Sequence, residues 1–327
     1  MVTTDLPLVV LSDRIGPLTA VEAAIADRVP CRVECRPLTS RSEIAANAVG
    51  ARVVLLGAVE PFDADTFDGL PDLRLVVRRG VGVDNVDVAA ATGRGIMVTN
   101  VPDGTVEEVS DHALAMVLAL LRGIPGAHGA ALADRTDRAR AAVDRSRPFA
   151  TSTFAVLGAG RIGRRLVAKA AGLFAEVLVV DPFVTAVGSA RVVPLAEALA
   201  AADALTVHTP LTPETRGLVG AAALAAARPG LVVVNAARAE VVDEAALEAA
   251  LRSGVVTGVG LDVTADSARW RTVIADGYDN VLLTAHTGAR GSTAQATLRR
   301  RCADQVVDFL AGRRPANVVA PPGDSTG

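Results

Sequence analysis

Three glycines and the residues between them carry the clearest chemical signal in this sequence. Gly158, Gly160 and Gly163 have the spacing G-x-G-x-x-G; an apolar run precedes them, and Arg161 and Ile162 open a helical pattern. In such a loop the first glycine makes a tight turn, the second lets the backbone approach a pyrophosphate, and the third lets the helix pack on the strand. The phosphates accept hydrogen bonds from N–H groups at the helix N-terminus. The loop therefore predicts dinucleotide binding.

Asp181 indicates which dinucleotide is bound. It ends the next apolar run, where its carboxylate is placed to accept hydrogen bonds from a ribose diol. The same carboxylate would repel a 2′-phosphate, and the following residues, Pro182, Phe183 and Val184, include no arginine to hold one. We therefore expect NAD in preference to NADP. The alternative is that Asp181 only caps the following turn.

Composition excludes several other classes of function. The net charge of −3 and the pI near 5.9 give no basic surface for nucleic acid. No apolar stretch approaches the length of a membrane span, and the N-terminus lacks a basic region and a long apolar segment typical of a signal peptide. Cys31 and Cys35 have no accompanying cysteine or histidine pair, so we expect no metal site. Three cysteines without a secretion signal favour a cytoplasmic protein.

The elements that must position these residues alternate between strand and helix. Continuous apolar runs predict buried parallel strands, at residues 8–11, 53–56, 73–77, 154–157, 177–180, 204–207, 231–234, 255–260 and 281–284. A long helix is predicted at about 105–121, a charged helical connector at 122–148 and a final helix at about 292–311. The prediction is an α/β protein with two doubly wound parallel-sheet domains. We expect ligands at the carboxyl ends of the strands and the active site in the cleft between the domains.

With these elements placed, the chain resembles the D-isomer-specific 2-hydroxyacid dehydrogenases over nearly its whole length. The resemblance is closest to the branch that includes bacterial relatives of the C-terminal-binding-protein corepressors. Besides the glycine loop, the matching segments are RRGVGVDNVD (78–87), NVPD (100–103), EEV (107–109), HTPLTPET (208–215), NAAR (235–238), GLDV (260–263) and AHTG (285–288). Seven segments in the family order make a chance match negligible.

The resemblance implies more than the pattern of elements does. It implies a discontinuous, flavodoxin-like substrate domain at 1–102 and 290–327, and a Rossmann NAD-binding domain at 103–289. It also implies a homodimer that uses the 105–121 helix and the charged segment after it. The implied partner is a small 2-keto or 2-hydroxy acid.

Individual site residues are carried over from the matching segments. Arg238 resembles the arginine that clamps the substrate carboxylate, since a guanidinium fork suits a carboxylate better than lysine does. His286 resembles the general acid/base, and imidazole titrates near neutral pH. The segment Gly80, Val81 and Gly82 resembles the backbone cradle for the substrate carboxylate. The further positions that match NAD contacts are Thr209, Pro210, Ala236, Asp262 and Gly288, and His208 is interpreted as a supporting residue.

The sequence departs from the family pattern around the acid/base site. The glutamate that partners the histidine in the family is replaced by Ser267, and the candidates to replace it are Asp266, Glu240 or nothing. The glycine after the arginine is Ala239, and the proline before the histidine is Ala285. The cofactor motifs are intact, so the changes concentrate on one half of the site.

Three functions are compatible with this pattern. The first is an NAD-dependent oxidoreductase for a 2-hydroxy acid or 2-keto acid with an altered acid/base site. The second is an enzyme of redox-neutral chemistry with tightly bound NAD, and the third is a non-catalytic, NAD(H)-responsive interaction protein. Arg79 stands where many relatives have a small or apolar residue. It indicates either a second anionic group on the substrate or a surface salt bridge.

Overall fold

The computed structural model describes residues 6–144 and 146–320, in twelve strands and fourteen α-helices. The strands are β1 Leu8–Ser12, β2 Arg32–Arg36, β3 Ala51–Leu56, β4 Leu75–Arg78, β5 Met97–Thr99, β6 Thr153–Leu157, β7 Glu176–Val180, β8 Arg191–Val192, β9 Ala204–Val207, β10 Leu231–Asn235, β11 Val256–Leu261 and β12 Val281–Leu283. The helices are α1 Ala20–Ala23, α2 Ile25–Arg28, α3 Arg41–Asn47, α4 Ala64–Asp68, α5 Val88–Gly93, α6 Val106–Leu121, α7 Ile124–Leu132, α8 Thr136–Asp144, α9 Arg161–Ala170, α10 Leu195–Ala201, α11 Ala221–Ala225, α12 Glu244–Ser253, α13 Ser267–Ala275 and α14 Ser292–Leu310.

The chain divides into two compact units. The first unit runs to Thr105 and resumes at Gly291, and the second runs from Val106 to Arg290. The expected first domain also includes residues 1–5 and 321–327, and the expected connector includes residue 145; these lie outside the described residues. The first unit is therefore discontinuous in sequence, with α14 returning to it from the end of the chain.

The first unit is built on a five-stranded parallel sheet in the order β2-β1-β3-β4-β5. This is the flavodoxin-like order, in which the chain reverses direction across the sheet between β1 and β3. Its inner strands are mostly apolar and buried, and both faces of the sheet are covered, one of them by α14 through Leu298 and Val306. Burial on both faces explains why these strands show continuous apolar runs.

The second unit is built on a seven-stranded parallel sheet in the order β12-β11-β10-β9-β6-β7-β8. Counted from β6, the central order 3-2-1-4-5-6 is that of the Rossmann fold, with the direction reversing between β6 and β9. Both sheets are parallel in every strand pair, so the predicted α/β class with two doubly wound parallel sheets is confirmed.

Helix α6 packs unusually close to the Rossmann sheet. A Cβ atom at Gly260 would lie 3.0 Å from Leu120 Cδ1 and 3.1 Å from Met116 Cε, so β11 admits the helix because it has glycine there. The start of α6 is fixed to α9 by Lys169, whose ammonium donates to Ser110 Oγ at 2.7 Å and pairs with Asp111 at 2.7 Å. The position of α6 is thus fixed at both ends.

The predicted charged connector is not one helix but two, α7 and α8, separated by Ala133–Arg135. Asp134 takes a left-handed backbone conformation at the break, with φ of 56°. Among the described residues no single helix is long and apolar enough to span a bilayer. The pair α6 and α7 meets the length and composition test only jointly, and it is bent by 66°.

Candidate active site

The predicted cofactor residues of the second unit lie at the carboxyl ends of its parallel strands. Backbone hydrogen bonds continue the ladder beyond the strand ends: Gly158 donates to the carbonyl of Val180, His208 to Leu157, Asp262 to Asn235 and Thr284 to Leu261, at 2.7–3.0 Å. Asp181, the glycine loop, Thr209, Ala236 and Asp262 therefore follow one another at the carboxyl ends of β7, β6, β9, β10 and β11. Ligands of doubly wound sheets bind at this edge, at the point where strand order reverses.

The glycine loop has the geometry that a pyrophosphate requires. Gly158 has φ of 97°, and a Cβ atom there would lie 2.7 Å from Thr209 N; a Cβ atom at Gly163 would lie 2.0 Å from the carbonyl oxygen of Gly158. Around Gly160, by contrast, no atom of the described residues apart from its chain neighbours lies within 4 Å of the position of a Cβ. Gly160 is also the N-cap of α9, with no side-chain hydrogen bond to the helix. The first N–H groups of α9 and an open surface thus coincide, and they fit the phosphates of NAD.

Asp181 is held rigidly beside this loop. Its Oδ2 accepts a hydrogen bond from the backbone N–H of Ala159 at 2.7 Å, and its Oδ1 accepts one from Phe183 at 2.9 Å. The carboxylate therefore caps the following turn, as the alternative interpretation holds. Each carboxylate oxygen has two lone pairs, so these bonds leave capacity for a ribose diol. Capping and ribose binding are compatible at this position.

Arg238 lies in a short loop after β10 that Asn235 shapes. The buried Asn235 side chain donates from Nδ2 to the carbonyl of Arg238 at 2.9 Å and accepts from the N–H of Ala237 at 3.0 Å. One guanidinium nitrogen of Arg238 donates to the carbonyl of Ala237 at 2.8 Å. The N-x-x-R spacing found in the sequence is thus the spacing that closes this loop and orients the arginine.

His286 takes a strained backbone conformation that Asp262 holds in place. Its φ is 56°, a left-handed value that costs roughly 1–3 kcal/mol for a residue other than glycine. The N–H of His286 donates to the Asp262 carbonyl at 2.6 Å, and the Asp262 carboxylate accepts from the N–H groups of Thr287 at 2.7 Å and Gly288 at 3.0 Å. Asp262 is 4 % exposed. Strain maintained by a buried carboxylate is typical of functional sites.

His208 supports the loop in its neutral form. Its Nε2 lies 2.9 Å from Thr206 Oγ1, and burial lowers its pKa to about 4 because the charged imidazolium is desolvated. Its Nδ1 is buried without a hydrogen-bond partner among the described residues. A neutral imidazole brings no positive charge to the predicted pyrophosphate site. We therefore interpret His208 as a residue that supports the loop and not as one that binds phosphate.

The structure gives Asp266 and Glu240, the two carboxylates predicted as candidates for the family glutamate's role, different surroundings. Asp266 is the N-cap of α13 and accepts a hydrogen bond from the N–H of Arg269 at 2.9 Å. Glu240 is exposed, and its side chain has no hydrogen bond or ion pair within residues 6–144 and 146–320. Ser267 opens α13, is exposed, and accepts from Arg271 at 3.1 Å.

The first unit contains the predicted carboxylate cradle. Gly80 has φ of 144° and follows β4, and a Cβ atom there would lie 1.6 Å from the Arg78 guanidinium. Val81 is fixed through its carbonyl, which accepts from Asn100 Nδ2 at 2.7 Å. Arg79 donates to the carbonyl of Ile15 and to Gln295 Oε1, both at 2.8 Å. Arg79 is therefore positioned between the loop after β1 and α14, next to the cradle that ends at Gly82.

Two polar residues beside Asp262 were not predicted from the sequence. His112 Nε2 lies 2.8 Å from Thr284 Oγ1, and Thr284 donates to Asp262 Oδ1 at 2.8 Å. His112 is in the middle of a helical pattern, and Thr284 ends a predicted strand, so neither has a local sequence signal. The one feature of the sequence that points to them is Asp262, because a carboxylate buried after a strand needs hydrogen-bond donors around it.

A cavity of about 620 Å³ in the second unit is not this site. It is lined by the amino ends of β10 and β11 and by residues such as Gly230, Arg252, Thr257 and Asn280. The cofactor residues lie at the carboxyl ends of the same strands. The cavity and the predicted cofactor residues therefore lie at opposite ends of the same strands.

Comparison with known proteins identifies the family. The family model described as D-isomer specific 2-hydroxyacid dehydrogenase, NAD binding domain, matches residues 114–288, more than half of the chain. The chain belongs to this family. The match covers most of the second unit and confirms the predicted NAD cofactor.

Individual relatives agree with this assignment. A D-3-phosphoglycerate dehydrogenase of Mycobacterium bovis is 38% identical over 312 residues, covering 94% of this chain and 58% of the relative, so the chain spans little more than half of that protein's length. A solved structure of a Thermus thermophilus protein has a TM-score of 0.80 and 28% identity, covering 95% of this chain and all of that one. An NADPH-dependent glyoxylate/hydroxypyruvate reductase of Sinorhizobium meliloti has a TM-score of 0.81 and 25% identity, covering 96% and 97%. The narrower resemblance to the corepressor branch stays a prediction.

Proposed function

We propose that this chain is an oxidoreductase that transfers a hydride between NAD and a small 2-hydroxy acid or 2-keto acid. The observation that carries the proposal is the strained His286 turn, which a buried carboxylate maintains at the edge of the sheet that bears the dinucleotide loop. NAD would be held by the α9 N-terminus, Asp181, Thr209, Pro210 and the residues after β10 and β11. When bound, it supplies or accepts the hydride.

The roles of the two principal side chains follow from their chemistry. Arg238 would hold the substrate carboxylate through two parallel N–H bonds and polarise the neighbouring ketone. His286 would donate a proton to the oxygen at which negative charge develops during reduction, and would remove it during oxidation. The loop fixed by Asn235 and the turn fixed by Asp262 reduce the freedom that both side chains would otherwise lose on binding.

The substrate that we propose carries a second anionic group. The Mycobacterium bovis relative is a D-3-phosphoglycerate dehydrogenase, and 3-phosphoglycerate is a 2-hydroxy acid with a phosphate. Arg79, beside the Gly80–Gly82 cradle, adds a cation that is already oriented by Ile15 and Gln295. The competing interpretation is that Arg79 only ties the loop after β1 to α14.

Steady-state NADH oxidation with a panel of 2-keto acids tests the proposal. We expect turnover, with higher kcat/KM for 3-phosphohydroxypyruvate than for hydroxypyruvate. Arg79→Gln should reduce that preference if Arg79 binds the second anion, and should leave it unchanged if Arg79 is structural. Arg238→Lys should lose most of kcat/KM because a point charge cannot reproduce a bidentate clamp. Arg216→Lys, on an exposed arginine of the same unit, is the matched control. No turnover of any acid would reject the proposal.

A second candidate function is redox-neutral chemistry with retained NAD. The observation that favours it is the placement of Asp266 and Glu240, one of which caps α13 while the other is exposed. NAD(H) that copurifies and does not exchange or turn over would support this candidate. If the chain is instead a non-catalytic, NAD(H)-responsive interaction protein, we expect the same lack of turnover, but the bound nucleotide should exchange freely with nucleotide in solution.

We also propose a cytoplasmic homodimer. Ile124 and Leu132 of α7 are 53% and 75% exposed, an apolar surface that a second copy would cover. Cys31, Cys35 and Cys302 are all unpaired, which suits a reducing compartment.

A further inference from the structure

A chain of hydrogen bonds links α6 to the turn that carries His286. His112 Nε2 lies 2.8 Å from Thr284 Oγ1, which donates to Asp262 Oδ1 at 2.8 Å. Met116 is one helical turn beyond His112, and its sulfur lies 3.9 Å from the same hydroxyl. The Asp262 carboxylate accepts hydrogen bonds from the backbone N–H groups of Thr287 and Gly288. All these residues belong to the second unit.

The chain of bonds has only one consistent proton arrangement. An ionised carboxylate can only accept hydrogen bonds, and both oxygens of Asp262 already face backbone N–H groups. The single hydroxyl hydrogen of Thr284 must therefore point to Asp262. The oxygen of Thr284 then accepts from the ring, so His112 carries its hydrogen on Nε2.

Glycine makes this arrangement sterically possible. A Cβ atom at Gly288 would lie 2.8 Å from Asp262 Oδ2 and 3.2 Å from His112 Cδ2. His112 Nε2 itself lies 3.5 Å from Asp262 Oδ1. The imidazole therefore covers the carboxylate from the helix side while Thr284 bonds it, and Asp262 stays 4 % exposed.

We propose that His112 is a positioning residue for His286, acting through Thr284 and Asp262. His112 orients the Thr284 hydroxyl, and Thr284 keeps Asp262 aimed at the two N–H groups that hold the left-handed turn. The inference rests on the proposed function, because only hydride transfer with His286 as acid/base makes the turn catalytically relevant. It adds to the site a residue of α6 that lies outside the predicted cofactor and substrate positions.

Two substitutions of His112 separate positioning from bulk packing. His112→Leu keeps the volume but removes the donor, and His112→Gln restores an N–H group at the position of Nε2. We expect His112→Leu to lower kcat by about tenfold to a hundredfold, as a small displacement of an acid/base group does, and His112→Gln to recover most of the rate. Thr284→Val, with Thr284→Ser as its rescue, tests the next link should His112→Leu fold poorly. His128→Leu, on an exposed histidine of α7, is the control.

Two further measurements do not depend on turnover. Hydrogen exchange of the peptide spanning residues 284–290 should be faster in His112→Leu and near normal in His112→Gln. The ¹⁵N spectrum of the His112 ring should show the Nε2–H form. If the wild-type protein reduces no 2-keto acid but exchange still responds to His112→Leu, the proposed function fails while the link stands. An active wild-type protein with the Nδ1–H form, or with kcat and exchange unchanged in His112→Leu and Thr284→Val, overturns the inference.

Discussion

At the scale of single residues, Ser267 stands at the position where the resemblance to the family predicts a glutamate. It opens α13, its side chain is exposed, and Asp266 before it caps the helix. A glutamate at the first position of a helix is favoured by the helix dipole, so the fold should accept a carboxylate there. The position can therefore be tested without disturbing the helix.

Ser267→Glu should raise the rate of 2-keto acid reduction at about pH 7.5 and move the pH optimum upward. A carboxylate near His286 favours the protonated imidazole, which is the form that donates the proton. Ser267→Gln has the same size without the charge and should change neither property. Glu240→Gln tests the remaining alternative, since a loss of activity would make Glu240 the partner. If neither Ser267→Glu nor Glu240→Gln alters the rate or the pH profile, His286 does not act as the acid.

Asp181 should decide the choice between NAD and NADP. We expect tighter binding of NAD in calorimetry, and Asp181→Ala should narrow the difference because repulsion of the 2′-phosphate is removed. The variant should also lose some stability, since Asp181 holds the N–H groups of Ala159 and Phe183. Equal or tighter binding of NADP by the wild-type protein would refute the argument.

At the scale of elements, the sequence predicted the strands that are buried on both faces. These strands, such as β6 and β10, are nearly continuous apolar runs, and the observed bounds differ from the predicted ones by one or two residues. The strands β2, β5 and β8 were not predicted. They lie at sheet edges; β2 is only partly buried and reads Arg-Val-Glu-Cys-Arg, and β5 and β8 have three and two residues. These three strands are too short or too polar to give a continuous apolar run, whereas the edge strand β12 is apolar and was predicted.

The close contact between α6 and β11 should not tolerate a methyl group. Gly260→Ala should lower the free energy of unfolding by about 1–3 kcal/mol, because the added Cβ forces Leu120 and Met116 away from the sheet. It should also reduce kcat, since α6 carries His112. Gly129→Ala, in α7 with no atom near its Cβ position, should instead stabilise by up to about 1 kcal/mol. Thermal unfolding followed by circular dichroism measures both, and equal effects would contradict the packing argument.

The attachment of α14 to the first unit should depend on pH. Arg299 of α14 donates to Glu22 at 2.6 Å. Burial alone would raise the pKa of Glu22, but the hydrogen bonds from Thr19 and Arg299 outweigh it and hold the pKa below its usual value. The stabilisation is therefore complete above the unfolded pKa of about 4.3 and disappears as the pH falls through the lower folded value.

Glu22→Gln should accordingly destabilise the protein by about 1.5–3 kcal/mol at pH 7, the range for a hydrogen bond to a charged group. The difference from wild type should begin to shrink as the pH drops below the unfolded pKa of about 4.3, and it should vanish once the pH is below the lowered folded pKa of Glu22. Urea titrations at pH 7 and pH 3.5 provide the comparison. Glu176→Gln, which removes an exposed pair with Arg191, should cost less than about 1 kcal/mol at either pH.

At the scale of the whole molecule, the proposed homodimer would use the exposed apolar side chains of α7. Light scattering at micromolar concentration should give the mass of a dimer, and Leu132→Glu should dissociate it because a charge replaces an apolar contact. Val49→Glu, at a 56% exposed valine of the first unit, should leave the dimer intact. A monomeric wild-type protein would refute the proposed dimer.

Local sequence also limits what could be predicted of the site. The glycine loop and Asp181 belong to one strand–helix–strand unit, so their local geometry could be predicted from spacing. The role of Arg238 was inferred from the family resemblance alone. The link from His112 through Thr284 to Asp262 joins a helix residue to partners 172 and 150 positions later in the chain, since α6 precedes the whole sheet that it covers. Such contacts arise from strand order, which a single sequence does not state.

Lys169, which fixes α9 to α6, is the only lysine in the sequence. An endoprotease that cuts only after lysine thus has one target bond, in the last turn of α9. The Lys169 side chain is 14 % exposed, so cleavage requires α9 to open locally, and the cutting rate reports how often it does. A nucleotide on the N-terminus of α9 should slow the cut. Digestion therefore gives a titration of cofactor binding that needs neither substrate nor turnover.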